Sequence, residues 1–161
     1  IPCHRVLGTG NVGGFSAPMP HGLGPVSGFS GYTTVGVADL NGDGALDVYG
    51  GNGTFDQVFV FLSDGLGGLG PAILSPANTE TVPDLVAADL DVDGHLDLAT
   101  GGSTVLFGDG AGHFPEEHPV LGGSKVVTAD FDGDAQPDLA YAEGENMKVL
   151  LNRLDGRRDH D

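Results

Sequence analysis

Short apolar stretches alternate with acidic, glycine-rich turns along this chain, and one version of the pattern occurs three times. Each unit has an apolar stretch, a nine-residue acidic loop and a second apolar stretch. The first stretches lie at 35–38, 85–88 and 126–129, the loops at 39–47, 89–97 and 130–138, and the second stretches at 48–50, 98–100 and 139–142. The first stretch is apolar on both sides, which predicts a strand with both faces buried.

Each unit continues with further strand signals and a glycine-rich turn. Asp64-Gly65 and Asp109-Gly110 are typical hairpin turns. Third strands are predicted at 58–62, 104–107 and 148–151, and fourth strands at 70–74 and 115–120. The loops begin 50 and 41 residues apart, and four-stranded units of this length are typical of β-propeller blades. We therefore predict an all-β fold of three four-stranded antiparallel blades of β-propeller type in an incomplete ring.

The repeat divides 1–161, a single repeat domain, into consecutive parts. These are a half blade at 4–30 with strands at 4–7 and 14–20, blades at 31–80 and 81–122, a partial blade at 123–152 and a tail at 153–161. Three blades cannot close a ring, so open strand edges and one apolar blade face are expected at each end. Either the chain is a fragment of a longer propeller, or copies associate head-to-tail, with 14–20 supplying the missing strand to a neighbour.

The acidic loops place oxygen ligands at a spacing that suits calcium, a hard cation that takes roughly six to eight oxygens. We predict about three Ca²⁺ ions with a structural role, one per loop, held by side chains at positions 1, 3, 5 and 9 and by the carbonyl at position 7. The predicted ligands are Asp39, Asn41, Asp43, Ala45 and Asp47; Asp89, Asp91, Asp93, His95 and Asp97; and Asp130, Asp132, Asp134, Gln136 and Asp138. The loops begin like an EF-hand, but strands flank them and the last acid falls at position 9, so a helix–loop–helix site is excluded.

Position 6 of the loop requires a sharp bend. Gly44 and Gly94 fit this bend, whereas Ala135 stands there in the third loop. Alanine adopts a left-handed conformation only at a cost in free energy. The third site is therefore expected to be weaker or distorted.

Composition excludes several classes of function. A formal net charge of −17 argues against nucleic acid and anionic membranes as partners. No apolar stretch reaches about 18 residues, so we expect no membrane insertion. The single cysteine, Cys3, excludes an internal disulfide framework and a multi-cysteine zinc site. No Ser/His/Asp set or nucleophile elbow stands out, so we expect no enzymatic activity and no catalytic residues.

The sequence Ala-Asp-Leu-Asn-Gly-Asp-Gly-Ala-Leu-Asp-Val at 38–48, followed by an apolar strand, and Gly-Asp-Gly-x-Gly-x-Phe at 108–114 resemble the FG-GAP/VCBS repeat. This repeat is the blade of integrin alpha-chain propellers and of many secreted bacterial proteins and fungal lectins. The resemblance runs from about Val6 to Asn152. It implies an extracellular, calcium-stabilised propeller, usually of about seven blades, from which this chain departs in holding three units.

Together these features predict a calcium-binding extracellular structural or assembly module. Its partner would be itself or the rest of a longer propeller. The alternative is carbohydrate or protein recognition by a lectin or adhesion fragment of a seven-bladed propeller. The aromatic candidates for that contact are Phe29, Tyr32, Phe55, Phe114 and Tyr141.

Overall fold

The computed structural model describes residues 32–52, 56–77 and 82–153. In these ranges the chain forms strands and no helix, and so no helix that could cross a membrane. The strands are β1 (Tyr32–Ala38), β2 (Asp47–Asn52), β3 (Gln57–Phe61), β4 (Ile73–Pro76), β5 (Leu85–Ala88), β6 (Asp97–Thr100), β7 (Thr104–Phe107), β8 (Glu116–Pro119), β9 (Lys125–Ala129), β10 (Asp138–Glu143) and β11 (Asn146–Leu150). The strands predicted at 4–7 and 14–20, and the aromatic candidates Phe29 and Phe55, lie outside the described residues.

The strands form three antiparallel sheets in which neighbours in sequence are neighbours in space. Blade 1 has the order β1-β2-β3-β4, blade 2 the order β5-β6-β7-β8, and blade 3 the order β9-β10-β11. The prediction of an all-β fold with antiparallel, propeller-type blades is confirmed. β4 begins at Ile73 rather than at 70, because Leu69 forms an isolated bridge with Ser63 and Pro71 has no N–H to donate to a ladder.

The strand registers divide the side chains of each blade between two faces. We call the face turned toward the next blade in the sequence the forward face, and the opposite one the backward face. Between blades 1 and 2, the buried cluster joins forward-face Tyr49, Val58 and Val60 to backward-face Leu85, Leu98 and Leu106. Between blades 2 and 3, it joins forward-face Ala99 and Val105 to backward-face Val126, Leu139 and Tyr141. The core therefore lies between blades, and both junctions use similar strand positions.

One acidic side chain connects all three blades at their first strands. Asp84 precedes β5 of blade 2, and its Oδ1 accepts a hydrogen bond from the Thr34 hydroxyl of blade 1 at 3.1 Å. Its Oδ2 accepts the N–H of Val126 of blade 3 at 3.3 Å, and the Lys125 ammonium lies 3.8 Å away. Thr34, Asp84 and Lys125 each stand five residues before an acidic loop. The connection therefore follows the repeat, although the sequence analysis did not identify it.

Candidate metal centres

Each acidic loop joins the first strand of its blade to the second, and the aspartate at position 1 closes the turn. In the first loop, Asp39 Oδ1 accepts the N–H of Asp43 at 3.1 Å and Oδ2 accepts that of Gly44 at 2.8 Å. The same two bonds in the second loop run from Asp93 at 3.1 Å and Gly94 at 3.0 Å to Asp89. These bonds hold the position-1 carboxylate over the turn, at the place predicted for a cation ligand.

The third loop is bonded differently. Asp130 accepts the N–H groups of Gly133 at 2.6 Å and Ala135 at 2.9 Å, which stand at loop positions 4 and 6. In the other two loops the donors stand at positions 5 and 6. Asp134 accepts the backbone N–H of Gln136 at 2.8 Å, a bond that the other two loops also have, and its second oxygen accepts the Gln136 side-chain amide at 3.1 Å. These two hydrogen bonds orient the Asp134 carboxylate towards Gln136.

Positions 4 and 6 of every loop have left-handed backbone. The φ angles are 72°, 61° and 84° at Gly42, Val92 and Gly133, and 87°, 93° and 68° at Gly44, Gly94 and Ala135. The expected left-handed conformation of Ala135 is confirmed. The same requirement at position 4 was not predicted, and it falls on a β-branched valine in the second loop, where it is costly.

Two of the loops bring three carboxylates together. Oxygens of Asp89, Asp91 and Asp93 lie within 4.8 Å of one another, and so do oxygens of Asp130, Asp132 and Asp138. These groups could hold a metal ion, since carboxylate oxygens are the preferred ligands of hard cations. Asp97 and Asp134, predicted for the same sites, are not members of these two clusters.

The first loop does not form such a cluster among the described residues, because Asn41 replaces the acid at position 3. The Asn41 amide donates to Asp43 Oδ2 at 2.9 Å. The Ala45 N–H and this side-chain bond lower the pKa of Asp43. Asp39, Asn41, Asp43 and Asp47 stay predicted ligands, as do the carbonyls of Ala45, His95 and Gln136.

The aspartate at position 9 has a second role that the sequence analysis missed. Asp47, Asp97 and Asp138 are buried, and each oxygen accepts one backbone N–H. One oxygen bonds loop position 2 (Leu40 2.9 Å, Leu90 2.7 Å, Phe131 2.8 Å), and the other bonds a residue just after the third strand (Ser63 2.8 Å, Gly108 2.9 Å, Asn152 2.7 Å). We call these residues the staple aspartates, because each ties its loop to the third strand. A carboxylate oxygen has a further lone pair, so Asp138 can accept an N–H and also bind an ion.

Burial changes the acidity of one staple aspartate. Burial raises the pKa of Asp97 to about 6, although the Gly108 and Leu90 N–H groups act in the opposite direction. An acid placed at the start of a strand that is apolar on both sides was the available sequence signal, since such a strand is enclosed on both faces.

Asn152 extends the network across the interface between blades 2 and 3. Its side-chain amide donates to the carbonyl of Leu90 in the second loop at 2.6 Å and to that of Pro137 at 3.2 Å. Gly108 occupies the same position in blade 2 and has no side chain to make this contact. The Asn152 side chain therefore links the second and third loops.

A cavity of about 330 Å³ lies between blades 2 and 3. Its apolar lining includes Val105, Phe107 and Leu139, and Asp91 of the second carboxylate cluster also lines it. The Phe107 and His118 rings meet edge to face, with centroids 5.8 Å apart. The aromatic candidates Phe114 and Tyr141 are instead buried core residues.

Comparison with known proteins agrees with the repeat. Residues 39–100, which contain the first two acidic loops, match the family model of the FG-GAP-like repeat. A search of curated proteins found no match. The segment 39–100 is thus similar to the FG-GAP-like repeat, the family that its loop sequences resemble.

Proposed function

We propose that this protein is a non-enzymatic, calcium-binding structural module of propeller-type blades, in which ions stabilise the acidic turns. The observation that carries this proposal is the convergence of three carboxylates in each of two loops, within 4.8 Å. Two unit charges at that separation repel by about 0.9 kcal/mol even at the dielectric constant of water. A divalent cation removes this repulsion at each of the two clusters.

The chain's own residues determine what an ion would stabilise. In the third loop Asp138 is both a member of the carboxylate cluster and a staple aspartate. Asp89 similarly combines cluster membership with closure of its turn. An ion held by these residues would fix the loop and, through the staple, the end of the third strand.

We propose an extracellular location together with the calcium role, and the affinity typical of extracellular modules gives the size of the effect. Extracellular calcium modules bind with dissociation constants of roughly 10⁻⁴–10⁻³ M. At about 1 mM calcium and a dissociation constant of about 0.1 mM, each site contributes about 1.4 kcal/mol to stability. Two sites would contribute about 3 kcal/mol, a substantial share of the ~5–15 kcal/mol typical of a domain. FG-GAP-like repeats are typically extracellular, which agrees with this affinity range.

Calorimetric titration of the metal-free protein with calcium tests the proposal. We expect millimolar or tighter binding, with the number of bound ions reduced by one in Asp91→Ala and by one in Asp132→Ala, because alanine has no oxygen ligand. Asp109→Ala is the matched control, because Asp109 is an acid in a hairpin turn, bonded to Ala111 and His113 and outside both clusters. Absence of calcium uptake, or an equal loss in the control, would refute the proposal.

The cavity between blades 2 and 3 favours a second candidate function, carbohydrate or protein recognition. A mostly apolar concave lining with a few polar groups is a typical composition of a ligand site. Here the polar groups are Asp91, which belongs to the second loop, His118, Asn152 and Arg153. A glycan array together with NMR shifts of His118 tests this role. Silence on the array and unchanged His118 signals would eliminate recognition of the arrayed sugars at this cavity.

A further inference from the structure

The forward face of blade 3 repeats positions that are buried in the other two blades. Val60, Val105 and Val149 each lie three residues before the residue whose N–H binds the staple aspartate. Val60 and Val105 are 1% and 4% exposed, whereas Val149 is 53% exposed. In blades 1 and 2 this valine is covered by the next blade, so Val149 lies on a surface suited to packing against one.

Two other apolar side chains share that surface. Val127 pairs with Ala140, which pairs with Val149, and Met147 lies two residues before Val149 on β11. Val127 is 54% and Met147 is 79% exposed. An apolar patch of neighbouring side chains on a strand surface is typical of an interaction site.

The backward face of blade 1 shows the complementary pattern. Val35, Leu85 and Val126 each lie four residues before an acidic loop, and Leu85 and Val126 are 6% and 2% exposed because the preceding blade covers them. Val35 is 69% exposed, and Val37, two residues along β1 on the same face, is 59% exposed. Blade 1 therefore presents the surface that blades 2 and 3 use to pack against their predecessors.

We propose that the forward face of blade 3 binds the backward face of blade 1 of a second copy of this chain. The inference rests on the structural role proposed above and adds a partner to it. Two internal junctions already join a forward face to a backward face through the same strand positions. A second copy is the occupant that the described residues support, because its blade 1 carries the matching apolar positions.

Charge at the first strands is compatible with this junction. Inside the chain, Thr34 of one blade meets Asp84 of the next, and Asp84 meets Lys125. At the proposed junction, Lys125 would face the neutral Thr34 of the second copy. No like charges are brought together at this repeat position.

The junction joins two different surfaces, so it is heterologous. Such contacts form a closed ring when the rotation between copies allows closure and a filament when it does not. Either product differs from a two-fold dimer, in which one surface binds itself. This difference supplies a sharp test.

The experiment is sedimentation velocity of the full chain in millimolar calcium over a range of protein concentrations. Val35→Asp disables the backward face of blade 1, and Val149→Asp disables the forward face of blade 3. The matched control is Leu66→Asp, because Leu66 is 93% exposed in the hairpin turn after β3 and lies on neither face. We expect wild type and the control to associate with rising concentration, and each face variant to remain a monomer.

Mixing the two face variants gives the decisive result. Each retains the surface that the other has lost, so the mixture should form one-to-one dimers and nothing larger. A monomeric mixture, association of either variant alone, or a wild type that stays monomeric would overturn the proposal. Circular dichroism of each variant excludes unfolding, and amide exchange of β9 and β11 in wild type should slow as concentration rises.

Calcium titration of the same samples separates the two proposals. Association without calcium uptake would leave this inference standing and refute the calcium role. Calcium uptake by a protein that stays monomeric would support the calcium role and refute the proposed junction between copies.

Discussion

Position 6 of the acidic loops offers a matched test of backbone strain, because glycine stands there in two loops and alanine in the third. The φ angles are 87° at Gly44, 93° at Gly94 and 68° at Ala135. A Cβ added at Gly44 or Gly94 would meet no atom within 4 Å, and Ala135 is exposed. Exchange of glycine and alanine here therefore alters the backbone preference without altering packing.

The magnitude follows from two opposing terms. A left-handed conformation costs an L-residue about 1–2 kcal/mol. Glycine avoids this cost, but it loses more conformational entropy on folding than alanine, which destabilises the folded state by about 0.5–1 kcal/mol. Ala135→Gly should therefore raise the free energy of unfolding by about 0.5–1 kcal/mol, and Gly44→Ala and Gly94→Ala should lower it by a similar amount.

Urea unfolding followed by circular dichroism measures these changes, with and without calcium. The midpoints should move in opposite directions for the two kinds of substitution, while the dependence on urea concentration stays constant. Two results would show that these loops do not have the described left-handed turn in solution. One is destabilisation by Ala135→Gly, and the other is unchanged stability in both Gly44→Ala and Gly94→Ala.

Three further predictions concern acids that accept backbone hydrogen bonds. Asp47→Asn should destabilise the metal-free protein by about 2 kcal/mol in urea unfolding, because the buried N–H of Leu40 or the N–H of Ser63 loses its acceptor and Asp47 lies outside both carboxylate clusters; the exposed Asp134→Asn should stay within about 0.5 kcal/mol, and equal effects would contradict the staple role. Asp84→Ala should cost about 1–2 kcal/mol in the same assay, and more than Thr34→Val, which removes one of its bonds; a neutral Asp84→Ala would exclude the connection. Because burial raises the pKa of Asp97 from 3.8 to about 6, the folded protein binds this proton more tightly, so the group's contribution to metal-free stability falls as pH rises from about 4 to about 6, by at most about 3 kcal/mol. Asp97→Asn should lose this component of the pH dependence in unfolding measured at pH 4.5 and 7, and an unchanged slope would exclude the pKa shift.

Local patterns were sufficient to predict the strands and loops. A stretch such as Leu85–Ala88 is apolar on both sides, and the loop that follows it, with aspartate at positions 1, 3, 5 and 9 and glycine at position 6, cannot continue it as a strand. The order of strands in each sheet then follows, because short turns join antiparallel neighbours. These features depend on residues close together in sequence.

The contacts that hold blades together depend on residues far apart in sequence, and no local pattern specifies them. Asp84 meets Val126 across 42 positions, and Asn152 meets Leu90 across 62. The composition of the carboxylate clusters has the same origin. Asp138 joins its cluster and Asp97 does not, although both stand at position 9, because the third loop has different backbone bonds.

Hydrogen bonds connect the third loop to the interior of blade 2. Asp138 accepts the N–H of Asn152 at 2.7 Å, the Asn152 side chain donates to the Leu90 carbonyl at 2.6 Å, and the Leu90 N–H donates to Asp97 at 2.7 Å. A cation held by the Asp138 cluster would therefore act on the interface between blades 2 and 3, because the same carboxylate positions Asn152. The interface between blades 1 and 2 lacks this route, since Gly108 stands where Asn152 would be needed. Ion binding would thus be linked to blade packing more directly at blade 3, which also carries the forward face proposed to receive a second copy.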